Sequence, residues 1–298
     1  MTTGSPLNIL AFIDQAARMF SAAGFDEPRR EARELLEAVT GMGPVRQLAD
    51  ADRLLGEEAL QELEEALQRR LRHVPMDQIR GRTSFDGLDF QVSDKVLSPR
   101  PETEFLVEEA ERRALELAAS KGETLRILDS FTGTGAIGIS LGKRLAKAGI
   151  PFELTLADLS PWAVELARQN ALALLPLTPV RILEADIWPD SHDVYDIMTS
   201  NPPYIARHEI TGLMPEVAVY EPGMALDGGK DGLDFYRRLA REGGSRLSPG
   251  GFLVLEAGAG QAADIIELFI KEAWSHKKTI RDFAGHERVL VLTGPAVE

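Results

Sequence analysis

The segment Ser200-Asn201-Pro202-Pro203-Tyr204, after the apolar run Val194 to Met198, has the residue types for chemistry on a planar nitrogen. Two adjacent prolines remove backbone N–H donors and fix φ, so the turn is stiff and presents carbonyls. It is a poor loop for anions. It suits a substrate with an NH₂ group on a planar carbon. The Asn201 side-chain oxygen and the Pro202 carbonyl can each accept one N–H, and the Tyr204 ring can lie against the plane. An amide nitrogen is a weak nucleophile because its lone pair is delocalised. Accepting both hydrogens enriches the nitrogen and turns the lone pair toward an electrophile, so orientation and charge complementarity outweigh general base catalysis. The same four residues also read as a stiff strand-to-helix connection.

A second segment, Asp129-Ser130-Phe131-Thr132-Gly133-Thr134-Gly135-Ala136-Ile137-Gly138, falls between an expected strand and its helix. Gly133, Gly135 and Gly138 satisfy G-x-G-x-x-G, and Asp158 lies 20 residues beyond Gly138, a pattern that fits a dinucleotide or a helix packed close to a strand. Asp129 separates the ligands. A carboxylate there repels a pyrophosphate and attracts the cationic amino group of S-adenosylmethionine, whose sulfonium carries a transferable methyl. Asp158 can accept both ribose hydroxyls, although Asp158-Leu159-Ser160-Pro161 also reads as a helix entry.

These motifs need a scaffold. Strand and helix patterns alternate at Leu125 to Leu128, Ala136 to Ala148, Phe152 to Ala157 and Pro161 to Leu174. Short strands are expected at Val180 to Leu183, Val194 to Thr199 and Phe252 to Leu255, with a helix from Leu233 to Arg246. The alternation predicts a parallel, doubly wound α/β sheet, and Lys278 to Phe283 with Val289 to Leu292 predict an antiparallel hairpin at its end. Upstream, Leu7 to Arg72 carries apolar residues at helical spacing, broken at Gly24, Gly41 to Pro44 and Gly56 and closed by Pro75. Three or four amphipathic helices are expected there. Period-two residues Phe85, Leu88, Phe90 and Val92 around Asp86-Gly87 predict a β-hairpin bridging two domains.

Composition narrows the partners. The chain has 298 residues, with 33 Lys and Arg against 47 Asp and Glu, a formal charge of −14 that disfavours nucleic acid. It has no cysteine, so thiolate metal sites and cysteine nucleophiles are excluded. His73, His192, His208, His276 and His286 are too scattered for a local metal pair, and no metal site is expected. Met1 to Leu10 lacks a secretory pattern and no long apolar run occurs, so a cytoplasmic protein without membrane contact is expected. The expected oligomeric state is a monomer.

Further motifs fall in one order with these: Ser98-Pro99-Arg100-Pro101-Glu102-Thr103-Glu104 before the glycine loop, and Tyr220-Glu221-Pro222 after Asn201 to Tyr204. Then come Ala225-Leu226-Asp227-Gly228-Gly229, Asp231-Gly232-Leu233 and Gly250-Gly251-Phe252 with Glu256. The set resembles the HemK/PrmC family, the peptide chain release factor glutamine N5-methyltransferases, from about Pro75 to the C-terminus. The resemblance implies a class I (Rossmann-like) S-adenosylmethionine-dependent methyltransferase acting on the glutamine of the Gly-Gly-Gln tripeptide in class I release factors. It implies that Phe131, Thr132, Gly133, Thr134, Gly135 and Asp158 hold the cofactor, with Asp186 and Ile187 at the adenine and Asn201 near the methyl. Asn201, Pro202, Pro203 and Tyr204 would clamp the glutamine, and Arg100, Pro101, Glu102 and Thr103 would close the cofactor side. The implied organisation is a helical substrate-recognition domain over residues 1–75, a linking hairpin over 76–98 and the methyltransferase domain over 99–298.

The chain departs from the family pattern in three places. Phe131 stands where the family usually has a glycine, and the expectation is that its φ is negative. Ser98 replaces a usual Ile, and Gly223 a usual basic residue. Asn-Pro-Pro-Tyr also resembles the motif of DNA adenine N6-methyltransferases, and a related class methylates a ribosomal-protein glutamine. Charge disfavours DNA, and Pro101-Glu102-Thr103-Glu104 looks more like the release-factor branch.

Overall fold

Asn8 opens the first helix by accepting the Ala11 N–H on its side-chain oxygen at 2.8 Å, a cap that satisfies one of the helix's free donors. The computed structural model describes residues 7–190 and 193–295; Met1 to Pro6 of the expected leader-free start, and His192, lie outside these. Helices α1 (Ile9–Ala22), α2 (Pro28–Thr40), α3 (Pro44–Ala49), α4 (Glu57–Leu71) and α5 (Met76–Arg80) follow in order. Ile9, Phe12, Ile13, Ala16 and Phe20 form one stripe of α1 at helical spacing. The stripe is buried with Leu35 and Leu36 of α2 and Leu63 and Leu67 of α4. Pro28 and Pro44 begin helices where a missing N–H costs nothing, and Gly41 closes α2 in a left-handed conformation.

The next elements are β1 (Arg82–Phe85), β2 (Leu88–Gln91), α6 (Glu104–Lys121), β3 (Leu125–Ser130), α7 (Ala136–Ala148), β4 (Phe152–Asp158) and α8 (Pro161–Leu174). They are followed by β5 (Val180–Glu184), β6 (Tyr195–Ser200), α9 (Pro215–Ala218), α10 (Gly223–Leu226) and α11 (Asp234–Gly243). The last are β7 (Leu247–Glu256), α12 (Ala262–Lys271), β8 (Ser275–Arg281) and β9 (Glu287–Thr293). Among the described residues the main sheet has seven strands in the order β5-β4-β3-β6-β7-β9-β8. Pairings among β3 to β7 are parallel, and those of β9 with β7 and β8 are antiparallel. The expected α/β sheet with a terminal antiparallel hairpin is therefore observed.

Chain direction explains where ligands go. The chain winds outward from β3 through β4 to β5, then crosses to β6 on the other side of β3. The carboxyl ends of β3 and β6 thus flank the topological switch point, the place where open α/β sheets leave a crevice. Ser130 pairs with Ser200, so the glycine loop and the Asn201 turn leave the sheet side by side. Gly138 lets α7 lie close on the sheet: a Cβ there would stand 2.4 Å from Leu156 Cδ2.

Expected and observed elements differ in instructive ways. β6 begins at Tyr195 rather than Val194, and β7 extends back to Leu247 through Pro249 and Gly250. Helix α6 had no counterpart in the sequence pattern, because its buried face includes a charged residue: Glu109 is 5% exposed and is held by Arg112, Arg113 and Lys278. The β1–β2 hairpin turns at Asp86 and Gly87, both with positive φ, and packs Phe85 and Phe90 into the core of the sheet region.

The chain divides into two compact units, one running to Gly81 and including Pro215–Tyr220, the other comprising Arg82–Met214 and the residues from Glu221 onward. In the first unit Arg70 binds Glu31 through Nε at 2.7 Å and Nη2 at 3.1 Å. Its Nη1 donates to Glu216 of α9 at 3.1 Å. Tyr220 donates to the Arg72 carbonyl at 2.6 Å, and Gln78 donates to the Tyr220 carbonyl at 3.0 Å. The Arg70 side chain is 9% exposed, so removing it leaves two carboxylates facing each other around a desolvated hole. Arg70→Ala should destabilise this unit by about 3 kcal/mol, the low end for a buried pair because Glu31 and Glu216 keep some water contact. Chemical denaturation of the full chain measures this, and a loss below about 0.5 kcal/mol would mean that solvent screens the cluster.

Candidate active site

At the switch point lies a cavity open to solvent, about 1000 Å³ when the space at its mouth is counted. Phe131, Thr132, Gly133, Thr134, Asp158, Asp186, Ile187, Asn201 and Pro203 all line it. Asp129, Gly135, Pro202 and Tyr204 do not.

Asp129 departs most from the sequence expectation of a carboxylate meeting a ligand's amino group. It is fully buried, and its oxygens accept from Thr132 Oγ1, from Thr199 Oγ1 at 2.7 Å and from the Gly138 N–H at 3.2 Å. Burial pushes its carboxyl up to about 6, against the pull of Thr132, Thr199 and Gly138. It therefore shapes the loop from beneath and contributes charge to the site, without touching the cavity.

Asp158 is the carboxylate at the wall. Its Oδ2 accepts the Gly133 N–H and its Oδ1 the Ser160 N–H, both at 2.9 Å. Burial raises its pKa, while the N–H groups of Ser160, Gly133 and Leu159 oppose that rise. Each oxygen keeps lone-pair capacity for a second donor, which suits a pair of vicinal hydroxyls. Asp186 is held at both oxygens by Arg238, at 2.9 and 3.1 Å, a partner that sequence reasoning did not supply.

Two wall residues have left-handed backbones. Phe131 has φ 58° and Ile187 φ 68°, conformations that cost non-glycine residues on the order of 1–3 kcal/mol each. The expectation of negative φ at Phe131 is thus corrected. Phe131 remains in place because its ring meets the edge of Phe235 from α11, with centroids 5.0 Å apart, and the Thr132 N–H binds the Ala157 carbonyl at 3.1 Å. At Ile187 the Trp188 N–H returns to the Asp186 carbonyl at 2.9 Å, closing a tight three-residue turn.

The Asn201 turn is braced from behind. The Tyr204 carbonyl accepts from Gln261 at 3.0 Å. A Cβ on Gly232, which has φ 77°, would stand 2.3 Å from that carbonyl oxygen, and one on Gly228 would stand 2.8 Å from the Pro203 carbonyl. The two Asp-Gly motifs downstream thus form the surface against which the turn is pressed. Burial, then the charge of Glu256, push the Tyr204 phenol up to about 12, so it stays neutral and is no base. Asn201 Nδ2 reaches Thr103 Oγ1 at 3.5 Å, and Thr103 donates to Glu256 at 2.6 Å.

The opposite wall runs from Lys95 to Arg100 and meets Pro222, Met224 and Ala225. Arg100 pairs with Glu221, tying these two stretches together. Ser98 lines the cavity, and its buried hydroxyl has no hydrogen-bond partner among the described residues. These features fit S-adenosylmethionine: a wall carboxylate, Asp158, with lone pairs to spare, apolar wall residues Phe131 and Ile187, and a second acid, Asp129, beneath the loop.

The backbone at Phe131 can be tested directly. Glycine at this position should be more stable than alanine by about 1 kcal/mol, the reverse of the usual order, because alanine keeps the left-handed strain and loses the ring. Urea unfolding of Phe131→Gly and Phe131→Ala decides it; equal stabilities would mean that the backbone relaxes.

Residues 11–81 match the PrmC N-terminal domain model and residues 102–219 the Methyltransferase small domain model. A release factor glutamine methyltransferase of Geobacter sulfurreducens is 36% identical, with 93% of this chain and 94% of that protein covered. One of Bradyrhizobium diazoefficiens is 40% identical over 87% and 84%, respectively. Among solved structures, the hMettl16 catalytic domain in complex with an RNA hairpin aligns at TM-score 0.52 with 14% identity, covering 83% of this chain and 85% of that one. That likeness concerns the fold. Identity of this degree along nearly the whole chain, with the glycine loop and the Asn201 turn brought into one cavity, establishes that the chain belongs to the release factor glutamine methyltransferase family.

Proposed function

We propose that this enzyme methylates the side-chain amide nitrogen of the Gly-Gly-Gln glutamine in a class I release factor. The observation that carries the reading is that Asn201 and Asp158 line one cavity, from the carboxyl ends of β6 and β4 on either side of β3. S-adenosylmethionine supplies a methyl group on a cationic sulfur. Asp158 would bind its ribose hydroxyls, and the backbone from Phe131 to Thr134 would pack along it. Asn201 Oδ1 and the Pro202 carbonyl would accept the two amide hydrogens, and the Tyr204 ring would hold the amide plane. With both hydrogens engaged, the nitrogen lone pair would be turned out of the amide plane toward the cofactor side, and positioning by these residues would supply most of the acceleration. The proton leaves after transfer, when the nitrogen is cationic and acidic.

Net charge favours this acceptor over a DNA base. A chain carrying −14 is repelled by phosphates and attracted to a basic protein surface. We further propose that the helical unit recognises the release factor outside the tripeptide. Val45 and Leu48, three residues apart on α3, and Leu54 are 82%, 66% and 59% exposed there, apolar surface that a protein partner could cover.

Mass spectrometry of a class I release factor incubated with enzyme and labelled S-adenosylmethionine should place one methyl on the tripeptide glutamine. Methylation elsewhere, or none, rejects the reading. Asn201→Ala should keep S-adenosylmethionine binding and lose methylation by roughly 100-fold or more. The double change Val45→Asp and Leu48→Asp should raise KM for the whole factor and leave that for a short Gly-Gly-Gln peptide unchanged. Equal effects on both substrates would remove the recognition role.

A further inference from the structure

We infer that Glu256, acting through Thr103, is a positioning residue that fixes which end of the Asn201 side-chain amide faces the substrate. The inference rests on the proposed glutamine chemistry and gives it a polarity. An asparagine amide is nearly symmetric in shape, so packing alone does not choose between its two orientations. One presents an acceptor to the substrate NH₂. The other presents NH₂ to NH₂, two donors that cannot bond.

The proton inventory makes the choice. Glu256 ends β7 and is 2% exposed; Thr103 is 3% exposed. The Thr103 hydroxyl has one proton and gives it to Glu256 at 2.6 Å, so toward Asn201 it can only accept. The Asn201 side chain also helps to hold the Glu256 carboxyl in its ionised form, and an ionised carboxylate has no proton to give. Both neighbours therefore accept, and Asn201 must turn Nδ2 toward them, as its 3.5 Å approach to Thr103 shows. Oδ1 is left for the substrate.

Protonation of Glu256 would undo the choice. A carboxylic acid can donate to Asn201 Oδ1, which makes the flipped amide acceptable. Burial pushes Glu256 up to about 7, with Glu102 raising it further and Thr103, Arg288 and Asn201 holding it down. Arg288 is itself paired with Asp282 at 3.1 Å. The Tyr204 and Tyr236 phenols also face this carboxylate; burial raises the pKa of both, so they stay neutral, and the Tyr236 hydroxyl donates to the Glu256 backbone carbonyl at 2.9 Å. The orientation of Asn201 thus becomes pH-dependent near neutrality.

Full-length wild type, Thr103→Val, Thr103→Ser and Glu256→Gln are compared for S-adenosylmethionine affinity, for kcat with a Gly-Gly-Gln peptide, and for the Asn201 side-chain amide signals in cofactor-free nitrogen-15 spectra. Thr103→Val should lower kcat at saturating S-adenosylmethionine roughly 10- to 100-fold, a larger change than any in cofactor affinity. Thr103→Ser, which keeps the hydroxyl, should restore most of it. In the wild type the Asn201 signals should titrate with a midpoint near neutral pH, and in Glu256→Gln they should not. Wild-type kcat in Thr103→Val, no rescue by serine, or Asn201 signals indifferent to pH would overturn the inference. A wild type that leaves the peptide unmethylated overturns the proposed function instead, and the spectra still decide the orientation.

Discussion

A single buried carboxylate, Asp129, joins the parts that must act together. It receives the Thr132 hydroxyl from the glycine loop, the Gly138 N–H from α7 and the Thr199 hydroxyl from β6. Thr199 lies two residues before Asn201, so one acceptor ties the glycine loop to the Asn201 turn. An asparagine could not replace it, because three donors converge and only an acceptor-only group satisfies them all without reorienting a neighbour. Burying that charge is costly, which is why the carboxyl is pushed up to about 6 despite three hydrogen bonds. The surrounding network makes the ionised form tenable at neutral pH.

Around this hub the fold holds backbone in conformations it would not choose. Phe131 and Ile187 are both left-handed, and both lie on the cavity wall. Their side chains belong to the same apolar cluster as Trp188, Tyr236 and Leu255. That cluster buries enough surface, at about 25 cal/mol per Å², to hold strained turns where a ligand is expected. Such strain persists only because the surrounding packing over-determines these backbones.

The sheet strands were legible in the sequence because buried parallel strands are short, nearly continuous apolar runs between turn signals. The glycine loop and the Asn201 turn were legible because prolines and glycines state their backbone demands locally. What escaped was everything decided by distant partners. Helix α6 was hidden since a buried Glu109, clamped by Arg112, Arg113 and Lys278, reads as a polar face. Asp129 was correctly placed at the end of β3 but expected to face a ligand; its burial depends on Thr199, 70 residues away. Phe131 could be judged only once Phe235 was seen against its ring. Thr103 and Glu256 lie 153 residues apart, and no local pattern joins them.

The hexapeptide Pro215–Tyr220 completes the helical unit although it is encoded far downstream, between the substrate turn and the cavity lip at Pro222. The first 81 residues are therefore not a finished module. Had the enzyme arisen by end-to-end fusion of two complete domains, each would be whole in sequence, and here neither is. A graft of the helical unit onto another chain would therefore have to bring Glu216, to which Arg70 donates, and Tyr220, which donates to the Arg72 carbonyl.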